Sequence, residues 1–266
     1  MTAPTLTARE RRERLKSAKA VAPVTLERLA AQHPTAHCEL DHRSAFELLC
    51  AVVLSAQTTD VAVNKVTPAL FARFPDPRAL AAVEPREVEP LVSTLGFFRN
   101  KSKALVGLAR ALVEKHGGEV PKRMADLVAL PGVGRKTANV VLGVIWNEPE
   151  GVVVDTHVMR LSQRLGWTGN TDPEKIEKDL CAILPRQEWA QASHVLIFHG
   201  RRCCFARKPD CGACSVNDVC PAAFDAEHVG RKAPVARKPA RTKKAKKTGK
   251  PAKKKKKSRT SKTARK

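Results

Sequence analysis

The sequence contains no long apolar run. No stretch of its 266 residues approaches the roughly 18 consecutive apolar residues that a membrane-spanning helix needs. Residues 1–20 are basic and lack an apolar segment, so they do not resemble a secretory signal. We therefore expect a cytoplasmic protein whose thiols stay reduced, which favours metal binding by its cysteines over disulfide formation.

Acidic and aromatic residues are both absent from the end of the sequence. Residues 231–266 contain 19 Lys or Arg and no Asp or Glu, whereas residues 21–230 carry 24 basic and 24 acidic residues. Such a polycation cannot bury enough apolar surface to fold, so we expect disorder over residues 225–266, and also over the basic residues 1–20. The charge favours non-specific binding to nucleic-acid phosphates and a nucleoid-associated location, the alternative being a tail that only improves solubility.

Helical patterns cover most of the region between the two basic ends. Ser44, with Glu47 three residues later, forms a capping-box pattern before the apolar run at residues 48–54. The run Val152–Val154 is the only β-like segment, and it is too short to argue for a sheet. The sequence therefore predicts an all-α fold.

Four cysteines lie close together in the pattern C-x6-C-x2-C-x5-C. A structural zinc site usually combines two separate C-x2-C pairs, and only one such pair is present. A single loop around a larger group fits an iron–sulfur cluster better, although zinc and disulfides stay open as alternatives. The predicted metal ligands are Cys204, Cys211, Cys214 and Cys220.

A glycine-rich turn separates two amphipathic segments. Residues 130–138 read L-P-G-V-G-R-K-T-A, and the glycines permit a tight turn that brings the backbone close to a partner. Backbone amides at the start of the second helix would form an anion site suited to phosphate. The pattern resembles a helix-hairpin-helix DNA-binding motif, the alternative being an ordinary helical hairpin. The predicted DNA-binding residues are Gly132, Val133, Gly134 and Arg135.

Lys136 and Asp155 are the candidate catalytic residues. Lys136 lies in the first turn of the second helix, where the helix dipole disfavours an ammonium group. A lysine amine without its proton is a nucleophile that can form a Schiff base. Asp155 follows a hydrophobic triplet, and beside Lys136 it could stabilise positive charge developing on a sugar. The plainer alternatives are a phosphate contact for Lys136 and a helix cap for Asp155.

Three motifs together resemble the endonuclease III family of DNA glycosylases with AP lyase activity. They are the glycine turn, V-D-T-H-V, and H-G-R ahead of the cysteine pattern, in the family's order. The resemblance implies a two-lobed, all-α helix-hairpin-helix glycosylase fold. Residues 38–148 would form a six-helix domain, and residues 21–37 with 149–224 would form an iron–sulfur cluster domain. It also implies a [4Fe-4S] cluster and a monomer that binds double-stranded DNA containing damaged bases or abasic sites.

The resemblance further implies a mechanism. Lys136 would attack C1′ of the deoxyribose, assisted by Asp155, and β-elimination would cut the strand 3′ to the lesion. The damaged base, expected to be an oxidised pyrimidine, must first be flipped out of the stack. Gln57 would fill the gap left by the flipped base, and Phe97 would wedge into the opposite strand. Phe97 and Phe98 replace the family's Leu-Tyr pair, and core packing is the alternative for both Gln57 and Phe97.

The loop between the first two cysteine ligands carries basic residues. Arg207 and Lys208 would contact DNA phosphates on a loop held rigid by the cluster, which makes the cluster structural. Cys203 would lengthen the first spacer to seven residues, so Cys204 is preferred as the ligand. Two nearby histidines are interpreted as structural or DNA-facing residues instead of metal ligands, namely His194 and His199.

Two other functions fit part of the pattern. A monofunctional adenine glycosylase shares the cluster and hairpin, but that branch lacks a lysine at the position of Lys136. It also has a catalytic glutamate where this sequence has Val52, and an extra recognition domain for which the low-complexity end leaves no room. A non-enzymatic DNA-binding protein with a structural metal is disfavoured by Lys136 with Asp155 and by the near-neutral central region.

Overall fold

The computed structural model describes residues 7–229, so residues 1–6 and most of the predicted basic tail lie outside the described residues. Within residues 7–229 the regular elements are helices and no strand is present, which confirms the all-α prediction. In chain order they are α1 (Ala8–Gln32), α2 (Ala45–Leu54), α3 (Asp60–Arg73), α4 (Pro77–Ala81), α5 (Pro85–Val92), α6 (Phe98–His116), α7 (Met124–Val128), α8 (Arg135–Trp146), α9 (Thr156–Arg164), α10 (Pro173–Ile183) and α11 (Trp189–Arg202). No helix in this part of the chain is long and apolar enough to cross a membrane.

Side-chain caps explain where several helices begin. Asp172 caps α10 by accepting from the Lys175 amide, and a proline follows Asp172 at the first helical position. Ser44 caps α2 through the Glu47 amide at 3.2 Å, as the sequence predicted. The Glu47 carboxylate accepts from the amide and guanidinium of Arg43, so the second half of the predicted capping box is replaced by this contact.

Two hydrophobic cores organise the described residues. The first is formed by α2 to α8 around α2, whose residues 46–54 are all buried. The second combines α1 with α9, α10 and α11 and with the segment Val152–Val154. Because the chain enters the second core at its start and again after α8, grooves between the cores are lined by residues far apart in sequence.

The expectation of disorder over residues 1–20 is wrong for residues 8–20, which form the first half of α1. Residues 8–20 are helical, beginning at a capping box in which the Thr7 side chain and the Glu10 side chain cap each other's amides. Small and apolar side chains at helical spacing form a narrow buried stripe that overall composition does not reveal. The residues of this stripe are Ala18, Ala22, Leu26 and Leu29.

A buried carboxylate also ties the start of α1 to α10. Asp179 is 1% exposed and accepts hydrogen bonds of 2.6 Å from Arg11, Thr168 and Asn170. We expect Asp179→Ala to lower the free energy of unfolding by about 3 kcal/mol, because it leaves buried donors unpaired. Urea denaturation measures the change, with Glu13→Ala, in an exposed ion pair, as a control expected to shift it by less than about 0.5 kcal/mol. Equal effects of the two substitutions would contradict the role of Asp179.

Candidate active site and metal centre

The glycine turn leads into α8 and requires a glycine at one position, Gly132. Gly132 has φ of 78°, in the left-handed region, and a Cβ there would lie 3.1 Å from that of Ala104. Gly134 is the N-cap of α8, and no described side chain caps this helix. The Val133 side chain is buried, and its amide donates to the Leu130 carbonyl oxygen at 3.1 Å. The amides at the start of α8 therefore form a site suited to an anion such as phosphate.

The Arg135 side chain is paired within the protein, so its predicted DNA contact depends on its backbone amide. Its guanidinium forms a two-point ion pair with Glu177 of α10, at 2.8 Å for the shorter contact. Glu177 also lies where a Cβ on Gly151 would fall, at 2.0 Å. The Arg135 side chain thus joins α8 to α10, which leaves its backbone amide as the group directed to a ligand at the turn.

Lys136 and Asp155 line one cleft, although 19 positions separate them in the sequence. The cleft encloses about 1020 Å³, including space open to solvent, and Lys136 is exposed. Val52 of α2 and Gln57, three residues after the end of α2, line the same cleft. The cleft is lined by residues of both hydrophobic cores, and it contains every catalytic candidate that the sequence indicated.

Asp155 also fulfils its alternative interpretation as a helix cap. It is the N-cap of α9, and its Oδ1 accepts from the amides of His157 and Val158, both at 2.8 Å. These bonds hold the carboxylate at a fixed position on the cleft wall. Because both use Oδ1, Oδ2 is not used by the cap, and a structural role and a chemical role are compatible.

An ion-pair network forms part of the cleft lining. Arg201 of α11 pairs with Asp60 at 2.9 Å and with Glu39, and Arg202 pairs with Glu39 at 2.6 Å. Asp60, Glu39 and Arg201 all line the cleft. Arg201 is the arginine of the H-G-R motif, whose sequence alone indicates no role for it. The only available signal was the position of this motif just before the cysteine loop.

Gln57 and Phe97 both have left-handed backbones, with φ of 55° and 59°. Phe97 is 66% exposed and Gln57 is also exposed, so neither residue packs in a core. Such conformations are unfavourable for residues other than glycine and are concentrated at functional sites. Lys101 of α6 is buried and donates to the Thr58 hydroxyl, which links the turn after Gln57 to the helix that follows Phe97.

The four predicted cysteine ligands line one cavity of about 390 Å³, a volume that includes space open to solvent. Much of its remaining lining is apolar, including Leu161, Leu165 and Val216. Cys203 is a fifth thiol in this lining, and the four thiols at the predicted spacing fit the donor set of an iron–sulfur cluster. The residues and the cavity therefore agree with the cluster predicted from the cysteine spacing.

A buried arginine fixes the loop that carries the first ligand. Arg164 donates to the Cys204 sulfur at 3.2 Å and to the carbonyl oxygens of Phe205 at 2.7 Å and Ala206 at 3.1 Å. The next two residues, Arg207 and Lys208, are exposed. The loop is therefore held from inside while its basic side chains face outward.

Cys203 offers a competing metal site. Its sulfur, the Cys214 sulfur and a His199 ring nitrogen all lie within 4.8 Å of one another. However, the Cys203 thiol donates to the Asp210 carbonyl oxygen at 3.2 Å, so its proton is already engaged. Burial raises the pKa of the Cys203 thiol, and it also raises those of Cys214 and Cys220, so pKa does not separate these cysteines as ligands. Because the Cys203 thiol already has a partner and the cysteine spacing begins at Cys204, we retain Cys204 as the ligand.

Comparison with known proteins finds a family match over each of the two regions. Residues 50–186 match the HhH-GPD superfamily base excision DNA repair proteins, and residues 204–220 match the iron-sulfur binding domain of endonuclease III. The second match begins at Cys204 and ends at Cys220, so Cys203 lies outside the matched residues. Fold and site together define a helix-hairpin-helix DNA repair enzyme with an iron–sulfur cluster.

Two individual relatives show to which family of DNA repair enzymes the chain belongs. The Endonuclease III of Synechocystis sp. (strain ATCC 27184 / PCC 6803 / Kazusa) is 53% identical over 191 residues, which is 72% of this chain and 87% of the relative. That of Escherichia coli (strain K12) is 42% identical over 73% of this chain and 92% of the relative. The chain belongs to the endonuclease III family. It is a DNA glycosylase and AP lyase of base excision repair, and its cofactor is a [4Fe-4S] cluster.

Solved structures support the same assignment. A trapped covalent intermediate of endonuclease III with DNA has a TM-score of 0.74 and 43% identity, over 78% of this chain and 97% of that one. A thermostable thymine-DNA glycosylase has a TM-score of 0.69 at 19% identity, so it shares the fold alone. The chain therefore binds DNA, as expected from the hairpin.

Proposed function

We propose that Lys136 is the nucleophile and that Asp155 assists it. The main support for this proposal is that both residues line one cleft, in which two backbone hydrogen bonds hold Asp155. The amine of Lys136 attacks C1′, and the glycosidic bond breaks with its electron pair leaving on the base. Asp155, through the oxygen not used by its cap, stabilises the positive charge that develops on the sugar.

The strand is then cut by β-elimination. The bond between Lys136 and C1′ becomes a Schiff base once the sugar ring opens, which acidifies the C2′ proton. Loss of that proton expels the 3′ phosphate, and water releases the lysine from the remaining aldehyde. The [4Fe-4S] cluster, held by the four predicted cysteines, takes no part in these steps and supplies a rigid loop.

The nature of the cleaved end tests this function. Cluster-loaded protein is incubated with a duplex that contains one abasic site, and the products are separated by mass. β-Elimination leaves an unsaturated aldehyde on the 3′ end, and we expect that product. A 3′ hydroxyl at the abasic position would instead indicate hydrolysis and would contradict the Schiff-base route.

We also infer how the chain contacts damaged DNA. The amides at Gly132, Gly134 and Arg135 bind the backbone phosphates, and the turn is shaped by the buried side chain of Val133. Arg207 and Lys208 contact phosphates near the cluster, a role supported by their exposure on a loop that Arg164 fixes.

Oxidised pyrimidines are the proposed lesions. This preference is tested by measuring the rate of base excision on a panel of duplexes, each with a single defined lesion. Equal rates on undamaged pyrimidines would contradict it.

Gln57 and Phe97 are proposed to enter the duplex, Gln57 in place of the flipped base and Phe97 as a wedge opposite. We expect Phe97→Ala to slow base excision from duplex DNA roughly tenfold to hundredfold, since unstacking a base step costs a few kcal/mol. Cleavage of a single-stranded abasic oligonucleotide should change little, because no stacked partner must be separated. The matched control is Phe224→Ala, at an exposed phenylalanine that also has positive φ. Equal losses on both substrates would contradict the wedge.

We further propose that the chain acts as a monomer on the nucleoid in the cytoplasm, with residues 231–266 binding DNA without sequence preference. Deleting them should weaken binding to damaged and undamaged duplexes alike. The slope of log K against log salt concentration should flatten by about 0.9 for each DNA phosphate that the tail neutralises in the full-length protein. A full-length variant with Lys253–Lys257 changed to glutamine separates charge from length. An unchanged slope would contradict DNA binding by the tail.

The proposed monomeric state is tested separately, by measuring the molecular mass of the protein by sedimentation equilibrium.

A two-domain division is proposed along the two hydrophobic cores. Residues 38–148 would form the six-helix domain, and residues 21–37 with 149–224 would form the cluster domain. It is supported by the first core ending in α8 and by the second core combining α1 with residues from Val152 onward. Limited proteolysis tests it: cuts between the cores should precede cuts inside either one.

A further inference from the structure

A buried histidine connects the first helix to one of the cysteine ligands. His199 of α11 is 3% exposed, and its Nε2 lies 3.5 Å from the sulfur of Cys214. Its Nδ1 lies 2.9 Å from Nε2 of His33, the C-cap residue of α1. Both ring nitrogens of His199 are therefore engaged, one by a ligand sulfur and the other by a second histidine.

These contacts require one arrangement of protons. A cysteine sulfur bound to iron is a thiolate, which only accepts hydrogen bonds, so the proton of His199 must be on Nε2. Nδ1 is then an acceptor, and His33 donates to it from its own Nε2. This arrangement follows for neutral rings from the two contacts alone, with one proton on Nε2 of each histidine.

The end of α1 holds the loop on either side of Cys214. The Gln32 side chain donates to the Ala213 carbonyl oxygen at 2.8 Å and accepts from the Ser215 amide at 3.1 Å. Arg28, one turn earlier, pairs with Asp218 at 2.7 Å. The backbone around Cys214 is therefore fixed by the same helix that orients His199.

We propose that His199 is a positioning residue for the cluster, donating a hydrogen bond from Nε2 to the Cys214 thiolate while His33 fixes its tautomer. Such donors hold ligands in the orientation that binds metal, and hydrogen bonds to sulfur also tune the reduction potential of a cluster. Arg164 makes the corresponding contact to Cys204. The proposal concerns the cofactor, so it does not depend on the roles of Lys136 and Asp155.

The alternative is that His199 is itself a metal ligand, with Cys203 and Cys214, in a zinc site. Their closeness permits this geometry. The two roles exclude each other, because a nitrogen that donates a hydrogen bond to sulfur has no lone pair left for a metal ion. An experiment can therefore separate them.

The test compares His199→Gln with His199→Leu in the full-length, cluster-loaded protein. Glutamine can place an amide N–H near the position of Nε2, whereas leucine fills the space without a donor. With an iron chelator present, we expect the visible absorbance of the cluster to decay at least about tenfold faster in His199→Leu than in the wild type. We also expect the cluster of His199→Leu to have a lower midpoint potential. His199→Gln should lie close to the wild type in both measurements.

A matched control removes packing alone. Val195→Ala, buried on the same helix, should lower the melting temperature without moving the midpoint potential. If His199→Leu cannot be loaded, His33→Leu replaces it, with a smaller shift expected in the same direction because His199 keeps its ring. Equal behaviour of His199→Gln and His199→Leu, or of His33→Leu and the wild type, would overturn the proposal. The proposal would also be overturned if the wild type bound one zinc ion per chain in place of iron and His199→Leu lost that zinc ion.

Discussion

Replacing Lys136 with alanine is expected to abolish Schiff-base formation with abasic DNA and to lower strand cleavage by roughly 10⁴-fold or more, as for other catalytic nucleophiles. Lys136 is exposed at the start of α8, and alanine is a good helix former, so the fold should persist. Affinity for an uncleavable abasic analogue should change little, since the hairpin amides are retained. Single-turnover cleavage, binding and the melting temperature together measure these effects.

The control for this prediction is Lys115→Ala, which removes the same charge in the last turn of α6, outside the cleft. It should cleave abasic DNA at the wild-type rate. If Lys136→Ala still forms a borohydride-stable adduct at the wild-type yield, another amine is the nucleophile. If it loses binding as much as cleavage, Lys136 is the phosphate contact of the simpler interpretation.

Asp155→Asn is expected to separate catalysis from helix capping. Asparagine caps helices about as well as aspartate, so the amides of His157 and Val158 keep an acceptor. The negative charge is lost, and we expect base excision to slow by roughly 10² to 10⁴-fold, the range for acid–base and electrostatic groups. Kinetics on a lesion duplex and thermal denaturation measure the two effects separately.

Two further variants complete this comparison. Asp155→Ala should add a loss of about 1 kcal/mol in stability to the same catalytic defect, because the cap is removed. Asp172→Asn changes the corresponding cap of α10, outside the cleft, and should affect neither property. A nearly wild-type rate for Asp155→Asn would show that the residue acts only as a cap.

Local sequence chemistry anticipated much of the fold. The Ser44 cap, the glycine turn before α8 and the apolar run that becomes the buried α2 all depend on residues close in sequence. The cysteine spacing likewise predicted one loop around one metal centre. Such features follow from backbone geometry and helical periodicity, which neighbouring residues determine.

Contacts between distant residues could not be predicted in this way. Composition indicated disorder for residues 8–20, but that segment is helical and its Arg11 meets a buried carboxylate 168 positions away. Arg135 likewise pairs with Glu177, 42 positions on. The exposed, left-handed backbone at Phe97 is a tertiary feature without a sequence signal of its own. The full set of residues that line the cleft and the hydrogen bonds of His199 likewise depend on three-dimensional packing.

Mapping the covalent adduct tests the central claim most directly. The cluster-loaded wild-type protein is reduced with borohydride in the presence of abasic DNA, digested, and analysed by mass spectrometry. The account predicts one modified peptide, with the sugar remnant on the Nζ of Lys136. An adduct on any other amine, or none with fully loaded protein, would contradict it.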